Sequence, residues 1–249
     1  MDMGGSIFLL VAAPFVGSFL GVLVERLPVG RPVVMGRSHC DACGHALGPL
    51  ELLPVVSWLL SRRRCRHCGA RLSLFYPMIE LAASLVAAWA LVVVPWPLAA
   101  ATAGLGWVLL ALAEIDLRHL ILPDVLTLPL MLAGLVLAAF TPQMQLADHL
   151  VGAVAGFLVL WLVATLYRRL RGREGLGLGD AKLFAAAGAW VGWQGLASVL
   201  LIGAVGGLLW AIAAVAVGRG RAPHEPLGFG PFLAAGLWLT WLYGPLGLS

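Results

Sequence analysis

The chain has 249 residues, of which 61% are hydrophobic and only 11% charged, with a net charge of +4 and a pI near 9.2. A mean hydropathy of +0.96 excludes an ordinary soluble domain and points to helices that cross about 30 Å of hydrocarbon at ~1.5 Å rise per residue. The basic balance does not indicate nucleic acid, because the arginines follow the loops of a membrane topology rather than a groove with stacking aromatics.

Apolar runs place candidate spans at about 6–24, 78–94, 98–115, 123–140, 149–167, 180–193, 195–217 and 229–246. The fold class expected is therefore an all-α polytopic membrane protein of about eight transmembrane helices with one small cytoplasmic loop domain. The sixth run is short for a full crossing, so a tilted, a half-inserted or a continuous helix joined to the seventh around Trp193-Gln194-Gly195, and with it a seven-span alternative, stay open. Charge favours eight. With the N-terminus outside, Arg26 to Arg71, Arg118, Arg168 to Lys182, Arg219 and Arg221 all fall on one side, and only Asp2 and Asp148 on the other. These bases serve orientation and contact with anionic lipid headgroups. Asp2 in place of a basic leading region, and no small-residue cleavage site after the first apolar run, indicate a retained helix rather than a signal peptide.

Three parts are expected: a first helix at 1–24, a cytoplasmic loop at 25–76, and a membrane bundle at 77–249. The loop holds all four cysteines, as Cys40-Asp41-Ala42-Cys43 and Cys65-Arg66-His67-Cys68. Two CxxC pairs at this separation are the spacing with which two hairpin knuckles supply four thiolates to one tetrahedral zinc. Gly44 and Gly69 follow the knuckles, where a tight turn brings backbone N–H groups to the sulfurs. A cytoplasmic loop argues against disulfides. Four thiolates leave no position for water, so the zinc is expected to be structural, and it replaces the core that about 50 residues cannot build. His39, His45 and His67 lie beside the thiols and are taken as solvated neighbours rather than ligands.

In the bundle, the segment Ala113 to Asp124 carries three carboxylates. Asp124, beside Pro123, is accounted for by the positive end of the next helix. Glu114 and Asp116 are two positions apart and point to different helix faces. Asp116 ends an apolar helix where the dipole disfavours an anion, so its structural explanation would be a pair with Arg118 or Lys182, and its functional one catalysis. The second segment, Gly175-Leu176-Gly177-Leu178-Gly179-Asp180, is not a nucleotide loop: it has no preceding strand, no GxGxxG spacing and no Lys-Ser/Thr. Glycines let non-helical backbone deliver Asp180 to a crevice at the membrane edge, where it also suits a helix cap. Two carboxylates that meet hydrolyse a peptide bond by sharing the roles of base on a water and acid to the leaving group. No GxSxG or HExxH competes. Asp116 and Asp180 are the expected catalytic pair, with Gly177, Gly179 and Lys182 as supports.

Taken together, the residues resemble the type IV prepilin peptidase family of inner-membrane aspartyl proteases. The resemblance rests on Gly17-Ser18-Phe19-Leu20 with Arg26-Leu27-Pro28, the two knuckles, Tyr76-Pro77 with Glu80, Ile115-Asp116 with Leu122-Pro123-Asp124, Gly177 to Leu183, and Gly228-Phe229-Gly230-Pro231-Phe232. It implies cleavage of basic leaders from type IV prepilins or type II secretion pseudopilins at the cytoplasmic face of the bacterial inner membrane. Bifunctional members then methylate the new N-terminal amine with S-adenosylmethionine. Those members usually carry Asn where this chain has Gly21 and Leu52. Proteolysis is untouched by these departures, whereas methyl transfer is expected to be weak or absent unless backbone or other loop groups replace the carboxamides. Two competing classes are a transporter using intramembrane carboxylates and a membrane adaptor built on the zinc lobe. The first finds no repeated half in the sequence, and the second leaves Asp116 and the glycine run unused.

Overall fold

The computed structural model describes residues 3–34, 38–40, 42–172, 177–217 and 228–247. Of the residues used above, Asp2, Asp41, Gly175, Leu176, Arg219 and Arg221 lie outside that set. The described residues form eight α-helices and no strand: α1 Met3–Arg26, α2 Val56–Leu60, α3 Phe75–Val93, α4 Leu98–His119, α5 Asp124–Phe140, α6 Leu146–Arg171, α7 Leu178–Ala216 and α8 Gly230–Tyr243. Five of them, α1, α3, α4, α6 and α7, are long and apolar enough to cross a membrane. The expected count of about eight crossings exceeds that number. The difference lies in α5 and α8, of 17 and 14 residues, and in the 39-residue α7.

The chain divides into two compact units, residues 1–111 and 112–249. In the first, α1 packs on α3 through small residues. Gly17 lies against the backbone of Glu80, and Gly21 faces the Tyr76 ring, which a Cβ there would meet at 2.9 Å. The indole of Trp107 donates to the Ala83 carbonyl at 2.9 Å, joining the early part of α4 to α3.

In the second unit, α7 is two helical segments meeting at Gly192, whose φ of 68° and ψ of 177° break the helix. Both segments pack on α8, and the register shows that the chain reverses there. Near the C-terminal end of α8, Trp241 stacks edge-on to Trp190 with centroids 5.1 Å apart, and Thr240 faces Gly195. At its start, Phe232 covers Gly203 and Gly207. The sequence places the boundary between the 180–193 and 195–217 runs at 194 and leaves a continuous helix open; the break falls two residues earlier, at Gly192, because only glycine takes this backbone readily. Asp148, in the first turn of α6, ties the reversal down by accepting from Gln194 at 2.9 Å and Trp193 at 3.2 Å. Close to the reversal, Trp190 donates to the Leu130 carbonyl at 2.8 Å and the His149 ring meets the Ala189 carbonyl at 3.0 Å. Buried polar groups in a hydrocarbon setting require such partners.

Candidate active site and metal cluster

The second unit brings Asp116 and Asp180 to one cavity of about 280 Å³, lined also by Leu122, Asp124, Gly177, Gly179 and Lys182. Both carboxylates are buried, at 4% and 8% exposure, although each belongs to the last or first turn of its helix. Asp116 is held by α8: its Oδ2 accepts the Gly230 N–H at 3.0 Å. This amide is one of the unpaired donors at a helix start, where the positive end of the helix favours an anion. The unfavourable end of α4 is thereby offset by the favourable end of α8. Asp180 is held within its own first turn, its Oδ2 accepting the Gly177 N–H at 3.0 Å. The helix begins at Leu178, so Asp180 is the third helical residue and Gly177 the cap; the capping residue expected from sequence is displaced by three positions. Among the described residues, Oδ1 of neither aspartate makes a hydrogen bond.

Neither basic residue considered as a structural partner for Asp116 takes that role. Arg118 reaches Glu114 at 3.3 Å one turn back, and Lys182 binds both oxygens of Asp124 at 2.7 Å. Asp124 does open α5, as its place after Pro123 predicts. Its carboxylate is also half of an ion pair at the cavity rim, which helix chemistry alone did not reveal. Gly179 is required by close approach, since a Cβ there would meet the Leu122 Cβ at 2.9 Å.

Gly228 and Gly230, quoted above only as part of the resemblance, are not among the expected site residues, yet both lie against Asp116. A Cβ on Gly228 would collide with the Asp116 carboxylate, and one on Gly230 would come within 2.8 Å of its Oδ2. The available signal was the Gly-Phe-Gly-Pro run opening an apolar helix, which parallels the glycine run before Asp180.

In the first unit, the two knuckles have matching geometry. Cys40 N–H bonds the His45 carbonyl at 2.9 Å and Cys65 N–H the Ala70 carbonyl at 2.8 Å, while Gly44 and Gly69 turn at φ 70° and 71°. The Sγ atoms of Cys40, Cys43, Cys65 and Cys68 all lie within 4.8 Å of one another, with Cys40 and Cys68 at 3.9 Å. Four convergent sulfurs of two hairpins fit one zinc. The backbone N–H groups of Cys68 and then His67 bring the Cys65 thiol down to about 6, which favours its thiolate form. Cys43 moves up to about 11: the His45 N–H lowers it, but desolvation and the three neighbouring thiols outweigh that amide.

A second convergence in this unit joins motifs that were separate in the sequence. Glu80, 5% exposed in α3, accepts the Val55 N–H at 2.7 Å and a hydrogen bond from Ser18 of α1. Val55 sits at φ 57°, a strained conformation for a β-branched residue, so the buried carboxylate holds the 53–55 segment in a shape it would not adopt alone.

Two family models match the chain. Residues 103–212 match the Type IV leader peptidase family, and residues 11–94 match the Bacterial Peptidase A24 N-terminal domain. A prepilin leader peptidase/N-methyltransferase of Burkholderia pseudomallei (strain 1026b) is 44% identical over 95% of this chain and 85% of its own length. The chain belongs to the type IV leader peptidase family. Proteins of the same name from Aeromonas hydrophila and Pseudomonas aeruginosa are 40% and 37% identical, each over 92% of this chain and 87% of their own length. No solved structure matches the chain. Membership in the leader peptidase family does not favour the transporter or adaptor alternatives.

Proposed function

We propose that this chain is a bacterial inner-membrane aspartic endopeptidase that removes basic leaders from type IV prepilins or type II secretion pseudopilins and methylates the new N-terminal amine. The observation that carries the proteolytic half is the shared cavity of Asp116 and Asp180, each anchored through Oδ2 with Oδ1 turned over to chemistry. One carboxylate takes a proton from a water whose oxygen attacks the scissile carbonyl. The other, protonated, hands its proton to the departing amine, and the pair ends with its roles exchanged. Gly230 and Gly177 fix the two acids so that neither must reorganise during the reaction.

The substrate fits the same physical frame. Its basic leader is retained in the cytoplasm by the positive-inside rule, while its apolar helix lies in the bilayer. Cleavage then takes place at the membrane edge. In support of eight crossings, α7 counts as two helices about its reversal at Gly192, and α5 and α8 complete the bundle. Within the second unit, Arg118, Arg171 and Lys182 occupy helix ends toward Asp116 and Asp180, and Asp148 the opposite ends, as a cytoplasmic active face requires. Residues 77–249 are assigned the peptidase, and 25–76 a zinc-organised lobe serving methyl transfer, with S-adenosylmethionine as the donor. The match of the N-terminal domain and the names of the relatives favour retained methylation despite Gly21 and Leu52. Zinc, held by the four cysteines, supplies folding energy to the lobe rather than chemistry.

The deciding experiment incubates purified protein with a prepilin, with and without S-adenosylmethionine, and weighs the products. A shortened pilin that gains one methyl only with the donor supports both halves. An unshortened substrate overturns the peptidase.

A further inference from the structure

We propose that His45, Glu51 and His67 form a second, solvent-exchangeable site for a divalent transition-metal ion, beside the four-cysteine cluster. This goes beyond the functional reading above and does not depend on it. One ring nitrogen of each histidine and a carboxylate oxygen of Glu51 lie within 4.8 Å of one another, and the imidazole ring centroids are 3.4 Å apart with their planes tilted by 30°. The sequence brings them together through the knuckles. His67 lies inside the second CxxC and His45 two residues beyond the first, so the convergence that gathers the sulfurs also gathers the rings.

Glu51 is preset for the third position. Its Oε2 accepts the Gly48 N–H at 2.9 Å at the start of the 3₁₀ turn Pro49–Leu52, which orients the carboxylate as an outer partner orients a metal ligand. Both histidines are exposed, so an ion exchanges freely with solvent, whereas two of the four cysteines are buried.

The donor set and the surrounding charge select the ion. Residues 25–76 carry eight arginines against three carboxylates, a field that repels cations at long range. Mg²⁺ and Ca²⁺, which need several oxygens, have only Glu51 to offer them. Neutral imidazoles instead bind Zn²⁺, Co²⁺ or Ni²⁺ through directed coordination. Two histidines and one carboxylate leave a fourth position for water or a substrate group, as in open zinc sites.

The test uses full-length protein in detergent, stripped with chelator under reducing conditions and titrated with Co²⁺ alone. Wild type is expected to take two equivalents. The sulfur site gives an intense thiolate-to-cobalt charge-transfer band, and the second equivalent adds only weak visible absorption. His45→Ala/His67→Ala should lose the second equivalent and keep the intense band, which certifies that the lobe is folded. Glu51→Gln should weaken the second equivalent by about tenfold. Saturation of wild type at the sulfur equivalent alone, or two equivalents in the double variant, overturns the proposal. Absence of the intense band in wild type refutes the four-cysteine reading instead, and a weakly absorbing equivalent abolished in the double variant would still support this site.

Discussion

The Gly230 amide donates to the Asp116 carboxylate at 3.0 Å across 114 residues of sequence, so the start of α8 is part of the site formed by the end of α4. Gly230→Ala is expected to lower prepilin cleavage by about a hundredfold, because a Cβ at that point displaces the carboxylate and small misplacements of a reacting group are costly. Gly228→Ala should behave alike. Cleavage rates in membranes with matched expression check this; wild-type turnover by either variant would remove α8 from the site.

Asp116→Asn and Asp180→Asn are each expected to abolish cleavage, with a loss of at least ~10³-fold, since a carboxamide keeps the shape but cannot take the proton and paired groups act as a unit. Asp124→Asn should only weaken it. Asp124 pairs with Lys182 at the cavity rim, and Lys182→Met should produce a similar modest loss, with no further loss in the double variant. A mobility-shift assay of prepilin processing separates the classes, and comparable activity of Asp116→Asn would end its assignment.

Single Cys→Ser changes at Cys40, Cys43, Cys65 or Cys68 should release zinc and raise hydrogen exchange through the lobe while part of the proteolysis persists. Chelation should do the same. Zinc analysis of reduced protein that finds no metal would count decisively against this role.

Glu80→Ala should loosen the 53–60 segment by about 1 kcal/mol, the lower end of the scale for leaving a half-buried hydrogen-bonded amide without its partner, and Glu80→Gln by less. Hydrogen exchange at Val55 reads the change. Unaltered protection in the alanine variant would show that the strained backbone is held by something else.

Methyl transfer is expected in spite of Gly21. The space that an asparagine side chain would occupy is filled here by the Tyr76 ring, so a Gly21→Asn variant should disturb α1–α3 packing rather than raise methylation. Mass spectrometry of the mature client measures both proteins. A clear gain of methyl in the variant would mean that the missing carboxamide limits the reaction.

Hydropathy and helix punctuation were readable because they are local. Runs of apolar residues mark α1, α3, α4, α5 and α6 to within a few positions, Pro123 marks the start of α5, and the CxxC pairs mark the lobe, each through forces acting within one or two turns. The boundary inside the 178–216 run was readable only roughly, since Gly192 is one glycine among several in that stretch and its backbone is set by packing against α6 and α8.

By itself, then, the sequence determined an all-helical membrane chain, a four-cysteine lobe and a short set of carboxylates at helix ends, because bilayer thickness, thiol spacing and helix dipoles act on neighbouring residues. Only the tertiary structure decided which partners those groups take: Gly230 for Asp116, Lys182 for Asp124, Val55 and Ser18 for Glu80, and a reversal at Gly192 that sets both halves of α7 against α8. These pairings join positions 25 to 114 residues apart, apart from the local break at Gly192. They follow from how small residues let helices approach, and no local pattern encodes that choice.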